Sequence, residues 1–254
     1  DHAGLAGWLA ERCELELATS QTEYLVCQNM RHNPAAIDSP AHRQFYLHHG
    51  LPEAAVELLL TRGHAYLRMT TDLPPSYRRL AAGQRLRIGG RDFEVMTGGG
   101  HSPEQVMLLC RAERLFFPAD QVLARISPNI SVHAWEPEGD PLGEYLLSLE
   151  RIRTELGDDV LVLPTHNLPF RGLHLRVGEL LAHHDERCDR IIAACAEAPL
   201  SAAAMLPVLF PRALDEHQTG FAFGEVLAHV NYLLREGALV AWDDADGVRR
   251  MRRS

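Results

Sequence analysis

No C-x-x-C pair occurs in this sequence. Its five cysteines, Cys13, Cys27, Cys110, Cys188 and Cys195, form an odd and scattered set. That usage excludes a regular disulfide framework and a thiolate zinc ribbon. It suits a reducing compartment, in which buried thiols are the ordinary role. No apolar run approaches the roughly 18 residues of a membrane span and no signal peptide is visible, so the chain is expected in the cytoplasm without a membrane partner. Positive charge is not in surplus either. Lys and Arg number 25 against 34 Asp and Glu, a net charge of −9. A general nucleic-acid binder needs a basic face for phosphate, so this balance argues against one, although a local basic patch is compatible with it. Internal repeats and low-complexity segments are also missing, as is an initial methionine.

What is present is an ordinary globular composition: 254 residues, 46% hydrophobic and 23% charged. That length holds one large domain, or a large and a small one, with a substantial core. "GLAGWLAERC" (4–13) has helical spacing, and "LELATS" (15–20) reads as a short strand. About sixty mostly helical residues follow. In "SPAHRQFYLHHG" Ser39 is placed as N-cap, Pro40 at the first helical position and Gly50 just past the end. "QRLRIGGRDFEVMTGG" alternates around Gly89-Gly90 and predicts a hairpin. "QVMLLC", "RLFFPAD" and "DDVLVLPTH" read as further strands, and "DPLGEYLLSLERIRTELG" and "HLRVGELLAHHDERCDRIIAAC" as helices. The last sixty residues offer helices and then two strands around "DADG", the outline of a small winged-helix-like unit.

Three side chains that can ligate a metal fall at strand ends or in the loops after them. His101 lies in "GGGHSPEQ", after three glycines that let the backbone turn tightly. Asp120 ends "RLFFPAD", and His166 ends "VLVLPTH". Imidazole and carboxylate are the donors of a hydrolytic Zn²⁺ site, and strand-end loops hold them without burying an unpaired charge. Any one of the three alone reads better as a surface or core residue. Together with the otherwise unexplained Asp1-His2 at the start, they favour a metal centre.

In this arrangement the chain resembles the metallo-β-lactamase superfamily. The matching segments are "DHAGLAGWLA" (1–10), "GGGHSPEQ" (98–105), "LFFPADQVLARISPNIS" (115–131) and "LVLPTHNLPF" (161–170). They stand in the family's order, where H-x-H-x-D-H is followed by a "GHSPG"-like segment, an apolar strand ending in "GD" and a "GH" or "TH" loop. The resemblance covers residues 1 to about 170. Asp1-His2 is then the last part of H-x-H-x-D-H, and the resemblance implies that the encoded chain carries His-x-His-x after an apolar strand upstream of Asp1. Two positions depart from the pattern: Glu104 and Ala119 stand where the family often has glycine.

The resemblance implies an α/β (α+β) fold, the αββα sandwich, with its N-terminal part absent from the given sequence. The expected domains are 1–175, with a helical insertion at about 35–80 carrying substrate-facing residues, and a winged-helix-like region at 176–254. Carried over residue by residue, Asp1, His2 and His166 would bind one divalent ion. His101 would bind another, together with the two upstream histidines, and Asp120 would bridge both. Zinc is the expected metal, with iron or manganese as alternatives. Water between the ions would be acidified to hydroxide, and Asp1 would orient it and receive a proton. The expected activity is metal-dependent hydrolysis of a small ester, thioester or lactone. A metal-dependent ribonuclease of the same superfamily and a non-catalytic regulatory module with a vestigial metal site are the rivals.

Other residues read more plainly. His48-His49 and His183-His184 are expected on solvated helix faces, since adjacent helical residues point about 100° apart. Asn129 and His133 are candidates for the pocket mouth, against a structural loop. Cys188 and Cys195 share core spacing on one helix. The four arginines of "VRRMRRS" are expected on a solvated strand, with nucleic-acid contact as the alternative. A small-molecule substrate and a homo-oligomer are the expected partners.

Overall fold

A computed structural model describes residues 2–254, except the side chains of residues 62–66 and 216. Helix α1 (Ala6–Cys13) buries none of its residues. Strand β1 (Ala18–Thr19) pairs in parallel with β2 (Arg78–Arg79). Between them, Ser20 caps α2 (Gln21–His32) by accepting the Glu23 N–H, and Arg31 and His32 stand in its last turn, where cations suit the helix dipole. Helix α3 (Pro40–His48) starts as its sequence predicts. Ser39 accepts the His42 N–H at 3.3 Å, Pro40 opens the first turn, and Gly50 takes φ +90° beyond the end. Helix α4 (Glu53–Met69) follows.

The main sheet has the order β3 (Arg85–Ile88), β4 (Arg91–Gly98), β5 (Gln105–Cys110), β6 (Leu115–Phe117), β7 (Leu161–Val162). Gly89 and Gly90, both at positive φ, make the β3–β4 turn that the twist of a two-residue hairpin favours. The first three pairings are antiparallel, and β6 and β7 are parallel. One side of the sheet closes over Leu80, Leu86, Phe93, Val95 and Cys110. Strands expected to run up to Asp120 and His166 stop earlier, at Phe117 and Val162. Pro118 and Pro164 lack the N–H that would continue a ladder, so both candidate ligands sit in loops leaving the C-terminal ends of a parallel pair.

Helices α5 (Pro141–Glu155) and α6 (Leu173–Glu197) supply Leu149, Ile152 and Val177, each fully buried. Ser201 then caps α7 (Ala202–Leu209), and Asp215 with Gln218 forms a capping box on α8 (Glu216–Arg235). The chain ends in the hairpin β8 (Leu239–Asp243) and β9 (Arg249–Arg253). Two compact units result, each discontinuous in sequence. One runs through Asn33, Tyr66–Pro128 and Glu144–Leu180 and holds the five-stranded sheet. The other comprises Pro34–Ala65, Asn129–Gly143 and Leu181–Ser254, with Met205, Val226 and Met251 fully buried in its core. The boundary expected at 175/176 falls inside α6.

Candidate metal centre

The three glycines before His101 serve two different needs. Only Gly100 takes a left-handed φ, +103°. Gly98 is needed for space, since a Cβ there would lie 2.5 Å from Ser148 Oγ and 3.1 Å from the Gln121 amide, whereas a Cβ on Gly99 would meet the movable end of Glu144, Oε2, at 2.7 Å. The loop is drawn down further by Gln121, which is fully buried and donates from Nε2 to the Gly99 carbonyl at 2.9 Å. Tyr145 in turn donates its hydroxyl to the Gln121 carbonyl at 3.1 Å. The His101 loop and the segment after Asp120 are thereby locked together.

Asp120 is the hub. Its Oδ2 accepts a hydrogen bond from His2 Nε2 at 2.9 Å, and His101 Nε2 and His166 Nε2 stand 3.3 and 3.6 Å from the same oxygen. Oδ1 accepts a hydrogen bond from Thr165 Oγ1. The carboxylate is buried, which by itself raises its pKa. Hydrogen bonds from His101, His2 and Thr165 outweigh that and hold it well below the ordinary carboxylate range. Two residues flanking the site take the left-handed backbone region: Ala119, just before Asp120, at φ +50°, where its Cβ makes the conformation strained, and Asn167, just after His166, at φ +70°, which asparagine tolerates. The first of these explains why glycine suits the position before the aspartate.

The donor set fits a divalent cation. Ligand atoms of His2, Asp120 and His166 all lie within 4.8 Å of one another. Two imidazoles and a carboxylate at that spacing match the donors preferred by zinc and related ions. His101 approaches the same carboxylate oxygen but stands outside that triplet. Among the described residues, then, four of the five ligands read from the sequence come together, with three imidazoles converging on the Asp120 carboxylate. The fifth, Asp1, lies outside the described residues. Thr165 and Gln121 were not singled out in the sequence. Thr165 adjoins His166 and could have been noticed there, whereas nothing local marks Gln121.

Other expectations fare unevenly. His49 and His184 are buried, at 5% and 0% exposure, which corrects the reading of both His-His pairs as solvated. The 100° offset puts one member of each pair inward. His229 Nδ1 donates to the Glu225 carbonyl at 2.7 Å, so in the neutral ring its Nε2 accepts from His184 Nδ1 at 3.1 Å. Asn129 bonds the α8 residues Phe221 and Glu225, and His133 stacks on Trp135 at 4.2 Å, so Asn129 works as a tether within the second unit. Cys188 and Cys195 are buried, and burial pushes their thiols up to about 12 and about 11. No helix among the described residues is long and apolar enough to cross a membrane.

Comparison with known proteins gives the context. The family described as Metallo-beta-lactamase-like, C-terminal domain matches residues 188–254. A beta-lactamase domain protein from Burkholderia ambifaria is 41% identical with a TM-score of 0.88, over 100% of this chain and 72% of that one. A metallo-beta-lactamase family protein from Thermus thermophilus is 27% identical with a TM-score of 0.80, over 100% of this chain and 76% of that one. Comparison with curated proteins returned no match.

Proposed function

The chain belongs to the metallo-β-lactamase superfamily and is a metal-dependent hydrolase, and on that premise we propose that it cleaves a small ester, thioester or lactone at the cluster of His2, His101, Asp120 and His166. The observation that carries this reading is the convergence of three imidazoles on one carboxylate oxygen, Asp120 Oδ2. His2, His166 and Asp120 would hold one ion, and His101 would serve a second ion together with Asp120. Divalent ions there, zinc in this proposal, would supply an acidified water and a Lewis acid for the carbonyl oxygen. Asp1, next to His2 in the chain, would take up the proton released. Thr165 keeps Asp120 Oδ1 occupied, so that Oδ2 stays turned toward the imidazoles.

A small uncharged or weakly charged substrate is favoured over nucleic acid by the state of the C-terminal arginines. Arg249 pairs with Glu138 at 3.0 Å, Arg250 pairs with Asp246 at 2.7 Å, and Arg252 lies over Trp242. These contacts draw Arg249 and Arg250 toward acidic neighbours within the same region, and the net charge of −9 gives phosphates no general basic face. In this reading the protein works in the cytoplasm, and its winged-helix-like C-terminal region joins a second copy of the chain.

The test is a substrate panel of an aryl ester, an acyl thioester, a lactone and single-stranded RNA, run after chelation and again after zinc is restored. We expect zinc-dependent cleavage of at least one of the first three, abolished in Asp120→Ala together with metal content. Cleavage of RNA alone would replace this reading with the ribonuclease, and metal-independent turnover would discard it.

A further inference from the structure

We infer that helix α2 is a strut between the two loops that carry His2 and His101, with Glu104 as the positioning residue at one end. The inference rests on the reading of those histidines as metal ligands. Glu104 stands three residues after His101 and is bound to the start of α2 by four hydrogen bonds. Its Oε2 accepts from the Thr22 N–H at 3.2 Å and from Thr22 Oγ1 at 2.7 Å. In the opposite sense its own N–H donates to Glu23 Oε1 at 2.8 Å, and its carbonyl accepts from Ser20 Oγ at 2.7 Å. Ser20 is fully buried, so the clasp reaches into the core. A carboxylate at this end of α2 also faces the positive pole of the helix dipole. Glycine at position 104 would lose both side-chain bonds.

The other end of α2 reaches the His2 turn. Arg31, in its last turn, donates to the Asp72 carboxylate and to the Leu67 carbonyl. Next to Asp72, Thr71 donates from both N–H and Oγ1 to the Gly4 carbonyl, at 2.8 and 3.0 Å. Gly4 is two residues from His2. The seat is tight, because a Cβ on Gly7 would fall 1.7 Å from the Asp72 carbonyl oxygen. A helix of 12 residues spans about 18 Å, so one rigid element sets the separation of the two loops. Neither Glu104 nor Arg31 is itself a candidate ligand, and their effect on the site would pass through the ligands' positions.

The test measures Zn²⁺ affinity by chelator competition, with amide exchange of residues 99–105 in the metal-free protein as a second readout. Glu104→Ala is expected to weaken zinc binding about tenfold or more and to speed exchange across the loop. Glu104→Gln keeps an acceptor for Thr22 Oγ1 and should restore most of the affinity. Arg31→Ala should weaken zinc binding in the same direction from the far end. Leu86→Ala, in a strand without candidate ligands, is the control for lost stability and should leave zinc affinity within about twofold. Thr22→Val, which removes one bond of the four, replaces Glu104→Ala should the latter not fold, with an expected weakening of about threefold. A zinc-binding parent with unchanged affinity in these variants would overturn the strut alone. Zinc binding by neither parent nor variants would overturn the metal reading and the strut with it.

Discussion

Thr165 Oγ1 donates to one oxygen of Asp120, and the other oxygen of that carboxylate is the one that meets His2, His101 and His166. The hydroxyl thus decides which way the carboxylate faces. Thr165→Val keeps the side-chain volume and removes the donor. We expect zinc affinity and turnover to fall by about tenfold, with Thr165→Ser restoring most of both. Equal values for the parent and the valine variant would remove Thr165 from the site.

Ala119 holds φ +50° directly before Asp120. An L-residue there costs roughly 1–2 kcal/mol that glycine avoids, while glycine gives back part of this through its freer unfolded chain. Ala119→Gly is therefore expected to stabilise the fold by about 0.5–1 kcal/mol with the metal content unchanged. Chemical denaturation of the two proteins reads the difference, and a destabilised variant would show that the local strain is compensated by packing.

Acid should weaken the second unit through its buried histidines. Burial lowers His184 to about 2 and His229 to about 4, below the ordinary imidazole value of 6.5. The unfolded chain thus takes up protons below about pH 6.5 that the folded chain does not, and stability falls as pH drops through that window. The His229 contribution levels off near pH 4, and that of His184 continues lower. His184→Asn places an amide donor near the Nδ1 position and removes one titrating ring. Its melting temperature should fall less between about pH 7 and pH 5 than that of the parent, and parallel slopes would contradict this account.

The C-terminal arginines supply a fourth test. Arg249, Arg250, Arg252 and Arg253 changed together to Gln should leave hydrolysis of small substrates within about twofold, since exposed ion pairs contribute little. RNA binding by the parent that falls steeply with salt and vanishes in this variant would reverse the assignment of the tail.

Much of this protein was legible in its residues because the signals are local. Ser39-Pro40 and the Gly50 stop define α3, and Gly89-Gly90 defines the hairpin, since caps and positive φ are demands met within a few residues. The candidate ligands were legible for a related reason: His101, Asp120 and His166 each sit beside loop-forming glycine or proline after an apolar run. Which face of a helix turns inward was not legible for His49 and His184, because adjacent residues differ only in direction and the packing partner sets that direction.

The sequence by itself determined the superfamily, the order of the elements and the kinds of donor atom available. Tertiary structure alone decided that one oxygen of Asp120 meets three imidazoles, that Gln121 fastens the glycine loop, and that Glu104 grips α2 from 81 residues away at Glu23. These are pairings between segments remote in the chain. Their energy depends on distances of a few tenths of an ångström and on directions that no local propensity encodes.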